Sequence, residues 1–130
     1  IYTLSDIIFN IQEEERNKRA YNEIYYIQKY IEEHLSEDLS LVKLAEQVYL
    51  NPSYLSRLYK EVTGSNLSDF IDDAKIKKAK ELLQKENAKI YEVAKAVGYD
   101  TASSFTRFFR RMCGCSPQEY RERFLFDNKS

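Results

Sequence analysis

Residues 39–64, LSLVKLAEQVYLNPSYLSRLYKEVTG, and residues 93–121, VAKAVGYDTASSFTRFFRRMCGCSPQEYR, are two copies of one plan. Ala45 corresponds to Ala94 and Val48 to Val97, both 49 positions apart. One extra residue in the second turn moves the offset to 50, which aligns Leu55, Arg57 and Leu58 with Phe105, Arg107 and Phe108. Ser56 then meets Thr106, Tyr59 meets Phe109, Lys60 meets Arg110, Gly64 meets Gly114 and Phe70 meets Tyr120. Matched apolar, cationic and glycine positions at a fixed offset indicate a repeated structural unit. Each copy reads as a short helix with a central alanine, a tight turn and a longer amphipathic helix.

Local signals bound these helices. Ser40 is an N-cap for a helix over 41–48, and Asn51 followed by Pro52 opens the next, because proline at the first helical position gives up an N–H that has no partner anyway. Gly64 and Gly114 stop the two longer helices. Between the copies, apolar Phe70, Ile71, Ala74, Ala79, Leu82 and Leu83 predict one long helix from about 67 to 85. Ile24, Ile27, Ile31 and Leu35 place another helix over 21–35, with His34 near its carboxyl end as a cap or surface residue. A last helix follows Ser116-Pro117, and the tail 127–130 is expected to fray. The expected fold is all-α: two helix-turn-helix subdomains (about 40–64 and 90–114) joined by a connecting helix (about 66–85). There are about seven helices in a 21–130 domain, plus an amino-terminal linker helix over 1–20.

Two helices crossing closely at a small residue make a helix-turn-helix, a motif whose second helix enters a DNA major groove. Periodicity sends Leu55, Leu58, Tyr59 and Val62 inward in the first copy, leaving Ser53, Ser56, Arg57 and Lys60 outward. In the second, Phe105, Phe108, Phe109 and Met112 point inward, and Ala102, Ser103, Thr106, Arg107 and Arg110 outward. A connecting helix of about 20 residues is a rod of about 30 Å, close to the roughly 34 Å between successive major-groove segments on one face of DNA. One chain can then grip both segments.

The net charge of −1 is low for a nucleic-acid binder, but it is unevenly spread. Residues 1–40 hold nine acidic and four basic side chains, whereas residues 41–130 hold twelve and sixteen. Five arginines within 102–125 face only Glu119 and Glu122. Leu4, Ile7, Ile8 and Ile11 form a short apolar stripe, read as the end of a linker helix from an upstream domain or a dimer contact; packing against the adjoining domain is the alternative. The start at Ile1 reads as a fragment of something longer. No apolar stretch is long enough to span a membrane and no signal peptide is visible; Cys113 and Cys115 sit too close to staple a fold, so a reduced, cytoplasmic chain is the simplest reading.

Cys113 and Cys115 lack the further ligands of a metal site and a base partner for nucleophilic chemistry, so a buried thiol at a helix end is the expected role. No phosphate-binding glycine loop, acid pair or cofactor fingerprint appears. The expectation is no catalytic residue, metal or cofactor.

Over about 24–124 the chain resembles the AraC/XylS-type transcription regulators. The resemblance rests on 39–64, on KAKELL at 78–83 and above all on 93–121, with its glycine-aromatic turn and its Gly114-Cys115-Ser116-Pro117 to Tyr120-Arg121 ending. The first copy looks most like output domains of YesN-type response regulators. The resemblance implies base contacts from Ser53, Ser56 and Arg57 in one groove segment and from Ala102, Ser103, Thr106 and Arg107 in the next. Arg57 and Arg107 are suited to bidentate contacts with guanine, and Asn51, Lys60, Arg110 and Arg111 to phosphates. Arg121 belongs to the family's closing Tyr-Arg, which supports the fold. Lys75 stands where the family commonly has Arg. The small Ala102, Ser103 and Ser104 favour reading of shape and phosphate in the second unit. The implied partners are promoter DNA, RNA polymerase and an upstream sensor or receiver domain. The rivals are a free-standing regulator and a helical protein-interaction module without DNA binding.

Overall fold

The computed structural model of the chain describes residues 1, 3–85 and 87–129, and within them seven helices and no strand. They are α1 (Leu4–Glu33), α2 (Leu41–Gln47), α3 (Pro52–Thr63), α4 (Leu67–Leu83), α5 (Ile90–Ala96), α6 (Ala102–Cys113) and α7 (Pro117–Lys129). The caps follow local chemistry. Asn51 accepts hydrogen bonds from the backbone N–H groups of Ser53 (2.9 Å) and Tyr54 (3.3 Å), and Thr101 accepts from that of Ser104 (3.0 Å). Both longer helices of the repeat end on a left-handed glycine, Gly64 at φ 82° and Gly114 at φ 77°, as the Cβ-free residue allows.

Three boundaries differ from the sequence expectation. The segment expected as a separate linker helix is continuous with the first domain helix: α1 runs 30 residues without interruption. No proline or glycine lies within it, and a capping box between Thr3 and Asp6 closes its start. The backbone N–H and hydroxyl of Thr3 donate to the Asp6 carboxylate and hold its pKa below the usual value. Second, α4 stops at Leu83, two residues early, where the backbone N–H of Gln84 bonds the Lys80 carbonyl at 3.2 Å. Third, α7 stays helical as far as Lys129; Ser130 lies outside the described residues.

Two hydrophobic cores sit side by side. The first packs Ile24, Ile27, Ile31 and Leu35 against Leu44, Ala45, Leu55, Leu58 and Tyr59. The second packs Val93, Ala94 and Val97 against Phe105, Phe108 and Phe109. Helix α4 serves both: Leu67, Phe70, Ile71 and Ala74 belong to the first core, and Ile76, Ala79, Leu82 and Leu83 to the second. The changeover falls at Lys75, whose ammonium lies 4.8 Å from the Tyr99 ring centroid. Burial pushes the Lys75 pKa down, and Asp72 opposes that shift.

The turns of the repeat make the same backbone demand with different residues. Gly98 takes φ 89° and its counterpart Tyr49 takes φ 57°, a conformation that strains a side chain bearing Cβ. Gly98 has a second reason to be glycine. A Cβ there would come within 2.8 Å of the Leu35 carbonyl oxygen and 3.4 Å of the Lys75 ammonium. The turn of the second unit thus presses on the segment just after α1 in the first. At Gly64, by contrast, a Cβ would meet nothing within 4 Å. Gly64→Ala is expected to destabilise by about 1 kcal/mol, the backbone strain alone. Gly98→Ala adds a clash with rigid backbone, for a total of about 2–4 kcal/mol. Urea denaturation of the two variants checks the difference; equal losses would show that the junction is loose.

Candidate nucleic-acid interface

The outward faces of α3 and α6 carry most of the residues singled out from the sequence. On α3, Leu55, Leu58 and Tyr59 are buried while Ser53, Ser56, Arg57 and Lys60 are exposed. Tyr59 is tied in by its hydroxyl, which accepts from the Gln28 side-chain amide at 3.1 Å, and by Phe70, with ring centroids 6.3 Å apart. On α6, Phe105, Phe108 and Phe109 are buried, Ser103, Arg107, Arg110 and Arg111 are exposed, and Ala102 and Thr106 are half-buried. The aromatic cluster of Tyr99, Phe105, Phe108, Phe109 and Tyr120, with centroids 5.0 to 6.2 Å apart, fixes the roll of this helix. Fixing the roll fixes which side chains face out.

Met112 departs from its expected inward place and lies exposed. At that end of α6 the second core is lined instead by Cys113 and Tyr120. Asn51 is exposed, but its side-chain oxygen is committed to capping α3, so only its amide N–H groups remain to donate.

The cations divide into two kinds. Among the described residues no ion pair engages Arg57, Lys60 or Arg107, whereas Arg110 lies 3.7 Å from Glu119 and Arg111 3.8 Å from Asp72. The Arg111 guanidinium also sits 5.7 Å from the Phe108 ring centroid. Such exposed pairs contribute roughly 0–1 kcal/mol, so exchanging an acid for a phosphate is energetically easy. Arg121 has a different role. It donates one hydrogen bond to the Ala88 carbonyl and another to the Gln118 side chain at 2.8 Å, tying α7 to the loop before α5.

The remaining polar candidates sit in structural places. His34 caps α1, its ring stacked at 4.0 Å on Tyr30, its Nδ1 2.7 Å from the Tyr30 carbonyl oxygen and its Nε2 3.7 Å from Glu37. Cys115 is buried, and burial pushes the half-buried Cys113 thiol up, away from the reactive thiolate. No helix of the described chain is long and apolar enough to cross a membrane.

Residues 44–123 match the helix-turn-helix domain family. The chain belongs to the AraC-type family of DNA-binding transcription regulators. YobQ of Bacillus subtilis (strain 168), described as an uncharacterized HTH-type transcriptional regulator, is 37% identical over 100 residues, 77% of this chain and 42% of YobQ. Across three such curated relatives the chain spans 31% to 42% of their length. Among solved structures, the C-terminal domain of the two-component response regulator YesN from Fusobacterium nucleatum superposes with a TM-score of 0.71 at 32% identity, covering 75% of this chain and 95% of that one. The DNA-binding domain of the global transcriptional factor AdpA, solved in complex with a target DNA, gives a TM-score of 0.71 at 26% identity, covering 78% and 91%.

Within this AraC-type domain, Arg121 was legible as a fold-supporting residue from the family's closing motif, and the ion pairs of Arg110 and Arg111 were not. Arg121→Ala is expected to destabilise by about 1–3 kcal/mol, the loss of charge-assisted hydrogen bonds at a half-buried site. DNA affinity of the folded fraction should stay within about twofold. Thermal melting and titration well below the transition check this, and a large affinity loss in a fully folded variant would move Arg121 into the interface.

Proposed function

We propose that this AraC-type domain reads an asymmetric promoter site, with α3 and α6 in successive major-groove segments on one face of the DNA. The observation that carries the proposal is the pairing of Arg57 with Arg107. These are equivalent outward positions of the repeat, free of ion pairs among the described residues, on helices packed toward opposite ends of α4. Ser53, Ser56 and Arg57 contact bases in one half of the site, and Ala102, Ser103, Thr106 and Arg107 in the other. Lys60, Arg110, Arg111 and the Asn51 amide hold phosphates. The domain spans 21–130 and works as the output part of a bacterial two-component response regulator, in the cytoplasm, under an upstream receiver domain. It acts by positioning RNA polymerase at a promoter. Likeness to the YesN C-terminal domain supports the response-regulator reading, and likeness to AdpA supports duplex DNA as the ligand.

Selection from a random duplex pool, followed by fluorescence anisotropy, tests this. An absence of enriched sequence at low salt sinks it. On the selected site, Arg57→Ala should relax preference in one half and Arg107→Ala in the other, each by about 1–3 kcal/mol at the affected base pairs. Loss of preference at the same base pairs in both variants would contradict two-segment docking.

Lys60→Ala should weaken binding evenly across sequences and lower the slope of log K against log salt by about 0.9, one phosphate contact. An unchanged slope removes Lys60 from the phosphate set.

A further inference from the structure

The first half of α1 stands clear of both cores. Between Leu4 and Arg19 only Glu13 is partly covered, while the second half packs Ile24, Ile27 and Ile31 into the first core. Leu4, Ile7 and Ile11 are 73%, 46% and 51% exposed. Continuing their spacing of three and four leads to Glu14, Lys18, Tyr21 and Tyr25, all exposed. This is a heptad seam with its apolar positions at both ends and one acid and one base at its centre. An apolar ridge left uncovered along a helix points to a partner surface.

The central charges select the partner and its direction. We propose that this face joins two copies of the chain, whose α1 helices pair antiparallel so that Glu14 of each meets Lys18 of the other. In that register Ile7 packs on Tyr25 and Ile11 on Tyr21 of the partner subunit, each contact made twice about the two-fold axis. A parallel pair would instead set Glu14 against Glu14 and Lys18 against Lys18 inside the seam, where desolvation makes like charges costly. Within one chain neither residue has an ion-pair partner among the described residues, although neighbouring Glu13 and Arg16 pair with each other. Glu15 meets its own copy across the axis, but on the solvent edge, where screening weakens the repulsion. The exposure of Tyr21 and Tyr25, at 64% and 62%, leaves the second half of the seam open although the opposite face of the helix is buried. This inference does not depend on the promoter reading, since the seam uses none of the outward residues assigned to DNA on α3 and α6; Tyr21 at its second end borders a cleft with Tyr54, Leu58 and Glu61 of α3.

Sedimentation equilibrium on the 130-residue chain tests it, with circular dichroism as the control for folding. The unmodified chain should show a monomer–dimer equilibrium. Glu14→Lys and Lys18→Glu, each alone, should weaken dimerisation about tenfold or more, because each places two like-charge contacts in the seam. The double swap E14K/K18E should restore association to within about threefold of the unmodified chain. Ile11→Asp, which removes two apolar contacts and leaves the charge pair, should dissociate the dimer as well. A monomer at every concentration overturns the proposal. So does a dimer indifferent to both single reversals, the signature of parallel pairing or of another face. A single reversal that lowers helix content without changing the mass would also overturn it, placing Glu14 and Lys18 in a contact along one helix.

Discussion

Helix α4 has to serve two cores in succession, and the rest of the architecture depends on how it does so. Leu67, Phe70, Ile71 and Ala74 close the first core, and Ile76, Ala79, Leu82 and Leu83 close the second. A helix of 17 residues is about 25 Å long, shorter than the roughly 34 Å between major-groove segments. The rest of the separation between α3 and α6 is set by where each sits on its own core, so core packing decides how far apart the two outward faces lie. An overpacked Leu83 or Phe70 would change both.

Two rigid bodies on one rod would still swivel if only the rod joined them. The contact at Gly98 joins them at a second place, because the turn of the second unit comes close enough to the Leu35 carbonyl to exclude even a methyl group. Lys75 fills the same corner, half-buried and lying over Tyr99. An ammonium there forgoes the bidentate hydrogen bonding open to a guanidinium. A fixed relation between two binding surfaces raises the effective concentration of the second once the first is engaged. The close approach at Gly98 is therefore tied to how the pair of helices meets a ligand.

What could be read from the sequence was what short-range chemistry decides. Asn51-Pro52, Gly64 and Gly114 bound their helices because a cap, a missing N–H and a left-handed φ are local requirements. The recurrence of those signals at offsets of 49 and 50 made the repeat visible. Features set by tertiary contact were not legible. The continuity of α1 is hidden because its apolar stripe changes face between Ile11 and Ile24, which looks like two helices and is one helix whose first stripe is exposed and whose second lies in the first core. Met112 carries the right period for the core, yet Cys113 and Tyr120 occupy the place it would take. Tyr49 gives no sign of its positive φ until it is laid beside Gly98 in the repeat. The base and phosphate assignments stand as expectations, resting on outward orientation and on the family.

The repeat also hides an asymmetry that matters for any polyanion. On α3 the outward cations Arg57 and Lys60 are unengaged among the described residues, while on α6 Arg110 and Arg111 already face Glu119 and Asp72. An anion approaching α3 meets bare positive charge. One approaching α6 meets unengaged charge at Arg107, but at Arg110 and Arg111 it competes with a carboxylate that remains nearby as a repulsive charge. Copies of one fold thus carry different electrostatic thresholds. The α6 unit gains most where its anion is placed for it by a first contact elsewhere, as a rigid link to α3 would do.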